Sequence, residues 1–227
     1  MVAAPILLVR HGQSEWNAAR RWQGRADSPL TALGRAQAAG AAEALAATER
    51  VLGPVWASTS ERARATAEIV ADRLGLGART VTADERLCEA EAGEWQGLTP
   101  DEIEAAYPGF LVAHRRPPSF EPFDRVVARA TAALGDVADA TSPGGAAVVV
   151  THSGVIRSLI RSGGVADERI PNLAGVWFGV ARSATGVDLH LGDRFDPVGL
   201  VVSGVDAPGE DPGEQTDHAG AQRRADR

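Results

Sequence analysis

Two histidines and two arginines stand where three apolar runs of the chain end. Ile6 to Val9 is followed by Arg10-His11-Gly12. Val51 to Ala57 is followed by Ser58-Thr59-Ser60 and then Arg62. Ala146 to Val150 is followed by Thr151-His152-Ser153-Gly154. Together these residues suit the capture of a phosphoryl group on histidine. A phosphate monoester carries close to two negative charges, which arginine meets with planar, bidentate donors. Helix N-termini add N–H groups with a favourable dipole, and Gly12 lets the main chain come close to an anion. The attacking histidine must be neutral, and neighbouring arginines favour that form. Covalent capture divides one difficult transfer into two easier ones. The leaving alkoxide needs a proton, for which Glu89 and Glu91 are both candidates, in an acid-dense segment followed by Gly93, Trp95 and Gly97.

The elements that must position these groups are legible in the pattern. The three apolar runs lack polar alternation, as parallel strands covered on both faces do, although Gly53-Pro54 interrupts the second. Helices are expected over Leu30 to Ala47 with Thr31 as N-cap, and over Ser60 to Leu74 with Ser60 as cap and Glu61 in the first turn. Thr99-Pro100-Asp101-Glu102 combines a cap, a first-turn proline and a capping-box acid, so a short helix should run to about Tyr107. Pro122 to Ala140 and Gly154 to Arg161 complete the set. Val176 to Ala181 and Val187 to Leu191 flank Ser183-Ala184-Thr185-Gly186 as a hairpin. The expected fold class is α/β: a three-layer α/β/α sandwich around a mostly parallel, mixed sheet. Ligands of such sheets sit at the carboxyl ends of the strands, where the histidines fall.

Composition narrows the chemistry further. The 227 residues, 44% hydrophobic, suffice for one domain, placed at 1–205. Residues 206–227 are rich in Gly, Pro and acids and read as a disordered acidic tail. The net charge of −7 argues against nucleic acid as a partner. All 23 basic residues are arginine, which excludes P-loop and Schiff-base lysine chemistry. Cys88 is the single cysteine, so no internal disulfide forms. Glu94 stands where a cysteine-phosphatase loop would need its arginine, which leaves Cys88 as a packing residue. The five histidines show no metal-ligand spacing, so neither metal nor cofactor is expected. No signal peptide or membrane span is visible, and the expected location is the cytoplasm. Alanine-rich helix faces and five tryptophans suit a homodimer or a monomer equally.

The motifs resemble those of the histidine phosphatase superfamily, in its phosphoglycerate-mutase-like branch. The resemblance rests on Leu8 to Asn17, Arg21 to Gly34, Ser58 to Ala63, Leu87 to Leu98 and Thr151 to Arg157, in family order across about residues 5 to 162. It implies that His11 is the phosphorylated nucleophile. Arg10, Arg62 and His152 would bind phosphoryl oxygens. Glu89, two residues after Leu87, would be the proton donor rather than Glu91. Asn17 would line the phosphate pocket, Gln23 and Gly24 would lie near the substrate, and the Ser153 N–H would assist.

The branch holds phosphatases and cofactor-dependent mutases. The mutases resemble one another in an Asn-Glu-Arg-His-Tyr-Gly-type stretch at the acid loop. Here that stretch reads Cys88-Glu89-Ala90-Glu91-Ala92-Gly93, which favours a phosphatase acting on a small sugar or glycerate phosphate. A phosphoglycerate mutase and a non-catalytic phosphate-ligand binder are the alternatives. The family's Gly-Gly-Glu-Ser-type stretch is replaced by Arg115-Arg116-Pro117-Pro118-Ser119-Phe120-Glu121-Pro122, and Cys88 and Ala92 also depart from the usual residues. Arg115 and Arg116 would meet either a substrate carboxylate or sugar, or only solvent.

Overall fold

A computed structural model describes residues 3–166 and 169–197. Its six strands lie in the order β3-β2-β4-β1-β5-β6, with β1 at Ala4–Arg10, β2 at Leu52–Ser58, β3 at Thr82–Asp84, β4 at Ala146–Thr151, β5 at Gly175–Ser183 and β6 at Gly186–Phe195. The first four are mutually parallel, and β5 and β6 run antiparallel as the expected hairpin. Strand β3 has only three residues and no apolar run, so nothing in the sequence marked it. The Gly53-Pro54 interruption is a register shift in the pairing of β2 with β4, the usual accommodation of a proline inside a sheet.

Two cores flank the sheet. On one face Ile6, Leu8, Ala147 and Val149 pack with Val126, Ala130 and Leu134 of α5 (Phe123–Ala140) and with Ile156 and Leu159 of α6 (Ser153–Ser162). On the other, Leu7, Val9, Val148 and Val150 pack with Ala41 and Leu45 of α2 (Ala32–Ala46) and with Ala67 and Val70 of α3 (Glu61–Arg73). Successive residues of β1 and β4 thus serve opposite cores, as the two-residue period of a strand dictates. That is the three-layer arrangement. The short helices α1 (Glu15–Ala18) and α4 (Pro100–Ala106) sit in the loops around the strand ends. A smaller cluster of Trp22, Trp95, Ile103 and Ala92 ties those loops together. The tail at 206–227 lies outside the described residues.

The caps divide into local and tertiary. Thr31 Oγ1 accepts from the Gly34 N–H, and Thr99 with Glu102 forms the reciprocal capping box. Ser60, expected to cap α3, occupies the N-cap position but makes no side-chain cap bond. The Glu61 N–H donates instead to Asp27 Oδ2 at 2.6 Å, from a loop 34 residues earlier. With that N–H capped, the Ser60 hydroxyl faces Ser58 and His152. Gly12 also differs from expectation. Its N–H donates to Thr66 Oγ1, and a Cβ there would collide with the Gly34 carbonyl, so the residue serves the packing of its loop on α2.

Register decides what meets at the sheet's end. β4 lies between β2 and β1, with Arg10 paired to Thr151 and Ala57 to Val150. The residues following all three strands therefore converge on one spot.

Candidate active site

His11 leaves β1 with its N–H bonded to the Thr151 carbonyl. Its Nδ1 lies 2.7 Å from the Gly12 carbonyl, which can only accept, so Nδ1 carries the proton. Nε2 is thereby left with its lone pair, and it accepts from Arg62 Nε at 3.2 Å. Arg62, on the first turn of α3, is 1% exposed. Its other nitrogens donate to the carbonyls of Gly24 and Ala26, to Asp27 Oδ1 and to His152 Nδ1. Because guanidinium only donates, His152 Nδ1 is an acceptor, and its Nε2–H points to Ser58 Oγ at 2.9 Å. The two imidazoles stand edge to face with centroids 5.1 Å apart. Arg10 is buried as well. One terminal nitrogen donates to the Ile170 carbonyl, and Nε has no hydrogen-bond partner.

Glu89 enters from the loop after Leu87. Its carboxylate accepts the N–H of Ala90 and, at 3.0 Å, the N–H of Gly154 in the first turn of α6. Any Cβ at Gly154 would push the Glu89 carboxylate from this position. Glu91, the other candidate acid, is exposed and lies outside the cavity.

The site residues that the resemblance implied all line one cavity of about 870 Å³: Arg10, His11, Asn17, Gln23, Gly24, Arg62, Glu89, His152 and Ser153. Asn17 and Gln23 are buried in a shared network. Asn17 forms a capping box with Ser14, whose hydroxyl accepts from Gln23 Nε2. Beyond the phosphoryl end the cavity is walled by Trp22, Phe120, Phe123 and Arg116. The Arg116 guanidinium lies 5.2 Å from the Trp22 and Trp95 rings, whereas Arg115 packs on Phe110 and does not line the cavity. Among the described residues no cluster of His, Cys, Asp or Glu could hold a metal ion, and no helix is long and apolar enough to cross a membrane.

Several residues that shape the site carried no signal of their own. Asp27 fixes both Arg62 and the start of α3. Asn172 donates to the His11 carbonyl at 2.8 Å. Arg129 grips the acid loop from α5. Each is a lone polar residue in a loop or a helix, and only its distant partner makes it functional.

Electrostatics favour a neutral nucleophile. Burial, then the charges of Arg62 and Arg10, hold the His11 imidazole well below its ordinary value, against a smaller opposing pull from its bond to the Gly12 carbonyl. Burial, then Arg62 and His11, do the same to His152. Burial also pushes Arg62 down, and Asp27 and Glu89 oppose this. Both imidazoles are depressed in the fold, so below about pH 6.5 the unfolded chain takes up protons that the folded chain refuses. Stability is therefore full above that pH and falls as pH drops, by on the order of 1 kcal/mol per pH unit for each histidine at most. Urea unfolding at pH 7.5 and 5.0 measures this. His11→Ala should lose one proton's share of the slope, and an unchanged slope would contradict a neutral buried His11.

Residues 6–173 match the model of the histidine phosphatase superfamily, branch 1. The chain belongs to that superfamily. It is 36% identical over 171 residues to the glucosyl-3-phosphoglycerate phosphatase of Mycobacterium tuberculosis, covering 70% of this chain and 74% of that one. It is 32% identical over 184 residues to a 2,3-bisphosphoglycerate-dependent phosphoglycerate mutase of a Methylobacterium, covering 77% and 88%. Among solved structures, a mycobacterial glucosyl-3-phosphoglycerate phosphatase complexed with VO3 superposes with a TM-score of 0.70 at 28% identity, covering 83% of this chain and 97% of that one. The superfamily and the fold expected from the motifs are thus both met.

Proposed function

We propose that this superfamily member is a phosphoric monoester hydrolase that works through phospho-His11 on a small-molecule ester. The observation that carries the reading is the lone pair of His11 Nε2, held toward Arg62 in a cavity that also contains Glu89. Nε2 attacks phosphorus, the N–P bond forms and the ester P–O bond breaks. Arg62 shifts its hydrogen bond from Nε2 to the transferring oxygens, joined by Arg10 and the Ser153 N–H, while His152, with its Nε2–H on Ser58 and its Nδ1 on Arg62, orients that guanidinium. Glu89 gives its proton to the leaving alkoxide. Water then attacks phospho-His11, Glu89 takes the water's proton, and inorganic phosphate leaves with the imidazole restored. Asn17, Gln23 and Gly24 complete the wall around the ester.

Hydrolysis is favoured over isomerisation by the acid loop, where Ala90, Glu91 and Ala92 supply neither arginine nor histidine to retain a second phosphorylated ligand. The phosphatase relatives carry the same weight. The mutase relative keeps the second reading in play. The cavity beyond the phosphoryl end has room and an aromatic wall for more than glycerate, so a glycosylated phosphoglycerate is the first substrate to test. Incubation with it, with 3-phosphoglycerate and with simple sugar phosphates should release inorganic phosphate. Rapid conversion of 3- to 2-phosphoglycerate without phosphate release would reverse the assignment.

A further inference from the structure

The acid loop is held by a guanidinium that the reaction itself does not use. Arg129, from the second turn of α5, donates from one terminal nitrogen to the carbonyls of Arg86 and Cys88, at 2.7 and 2.5 Å. Its other terminal nitrogen donates to the Glu89 carbonyl at 3.2 Å. The remaining donors make a two-point pair with the Glu121 carboxylate at 2.9 and 3.0 Å. Glu121 is in turn bonded to the far side of the loop. Its N–H donates to the Glu91 carbonyl and its Oε2 accepts the Glu91 N–H. Oε2 also lies 3.6 Å from Arg25, in the turn that carries Gly24 and Asp27. Both partners are largely buried, with side chains 14% and 9% exposed, so water competes little for these bonds.

Five donors in a rigid fork match this demand, and no other side chain presents them together. Three carbonyls within four residues have to point inward for Glu89 to reach the Gly154 N–H, and Arg129 satisfies all three. We propose that Arg129, clamped by Glu121, is the positioning residue for the proton donor Glu89, and that it sets how well the enzyme expels poor leaving groups. The proposal rests on Glu89 being that donor. Arg129 does not line the cavity, so it acts through the loop rather than on the substrate.

The test is a leaving-group ratio. On one preparation, kcat/KM is measured for p-nitrophenyl phosphate, whose phenolate leaves almost unaided, and for β-glycerophosphate, whose alkoxide needs a proton. The ratio is independent of the folded fraction. Arg129→Met should raise it on the order of tenfold to a hundredfold, as loss of orientation by about an ångström does. Arg129→Lys keeps the charge without the fork and should raise the ratio in the same direction, which covers failure of the methionine variant to fold. In the Glu89→Gln background, Arg129→Met should move the ratio no further. A merely structural arginine would depress both substrates equally, and an unchanged ratio overturns the proposal. Should Glu89→Gln shift the ratio while both Arg129 variants leave it alone, the positioning role falls and the donor stands. Should Glu89→Gln itself leave it unchanged, the donor assignment falls and the positioning role with it.

Discussion

His11→Ala is expected to lower phosphate release by on the order of 10⁴-fold or more, as removal of a nucleophile does when the remaining site residues act only as a unit with it. The argument is one of geometry. The Nδ1–H is committed to the Gly12 carbonyl, so Nε2 is the lone pair on offer. The neighbouring arginines only donate and offer no lone pair in its place. Phosphate release from p-nitrophenyl phosphate measures the effect, and retained turnover would remove the phosphohistidine from the mechanism. The depressed imidazole adds a second signature. Because burial and two guanidinium groups keep His11 neutral, kcat/KM of the intact protein should show no loss of nucleophile around pH 6.5 as the medium is acidified.

Glu89→Gln carries the second large effect. The substitution is isosteric, and with its amide oxygen toward the Gly154 N–H it keeps that bond and gives up the one from Ala90. What is lost is the transferable proton. Alkyl phosphates should slow by about 10²- to 10⁴-fold, the range expected of general acid catalysis, while p-nitrophenyl phosphate slows far less. Glu91→Gln is the control, since that side chain is exposed and outside the cavity, and it should leave both substrates near the parent rate. Equal losses on both substrates for Glu89→Gln would move the acid role to another group.

Both expectations depend on a site assembled by sheet register. Neighbours in the sheet are not neighbours in sequence. His11 and His152 are 141 residues apart, yet β4 lies beside β1 with Arg10 opposite Thr151. Arg62 reaches both imidazoles because β2 flanks β4 on its other edge and α3 starts where β2 ends. The apolar runs announced the strands, and the rule that ligands gather at strand ends announced the site. Neither could state the order of the strands.

What the sequence determined by itself is what local chemistry encodes. Unbroken apolar runs become strands buried on both faces. Thr31 and Thr99 cap the helices they precede, and the Ser183–Gly186 turn makes the hairpin. The spaced motifs around His11, Arg62, Glu89 and His152 were enough to name the superfamily. What the tertiary structure decided is everything that depends on a distant partner. Ser60 has a good capping side chain, but Asp27 reaches the α3 N-terminus with a full negative charge, and the serine hydroxyl turns toward His152. Gly12 reads as an anion-binding glycine, but its space is taken by Gly34 and its N–H by Thr66. Glu89 and Glu91 are two residues apart in an acidic stretch and equal as residue types, and in the sequence only the motif position two after Leu87 separates them. The approach of Gly154 and the grip of Arg129 hold the first carboxylate at the cavity, while the second is exposed. Capping propensity and hydrophobic period act over a few residues, whereas charge and hydrogen-bond partners are assigned by whichever groups the packed sheet brings within about 3 Å.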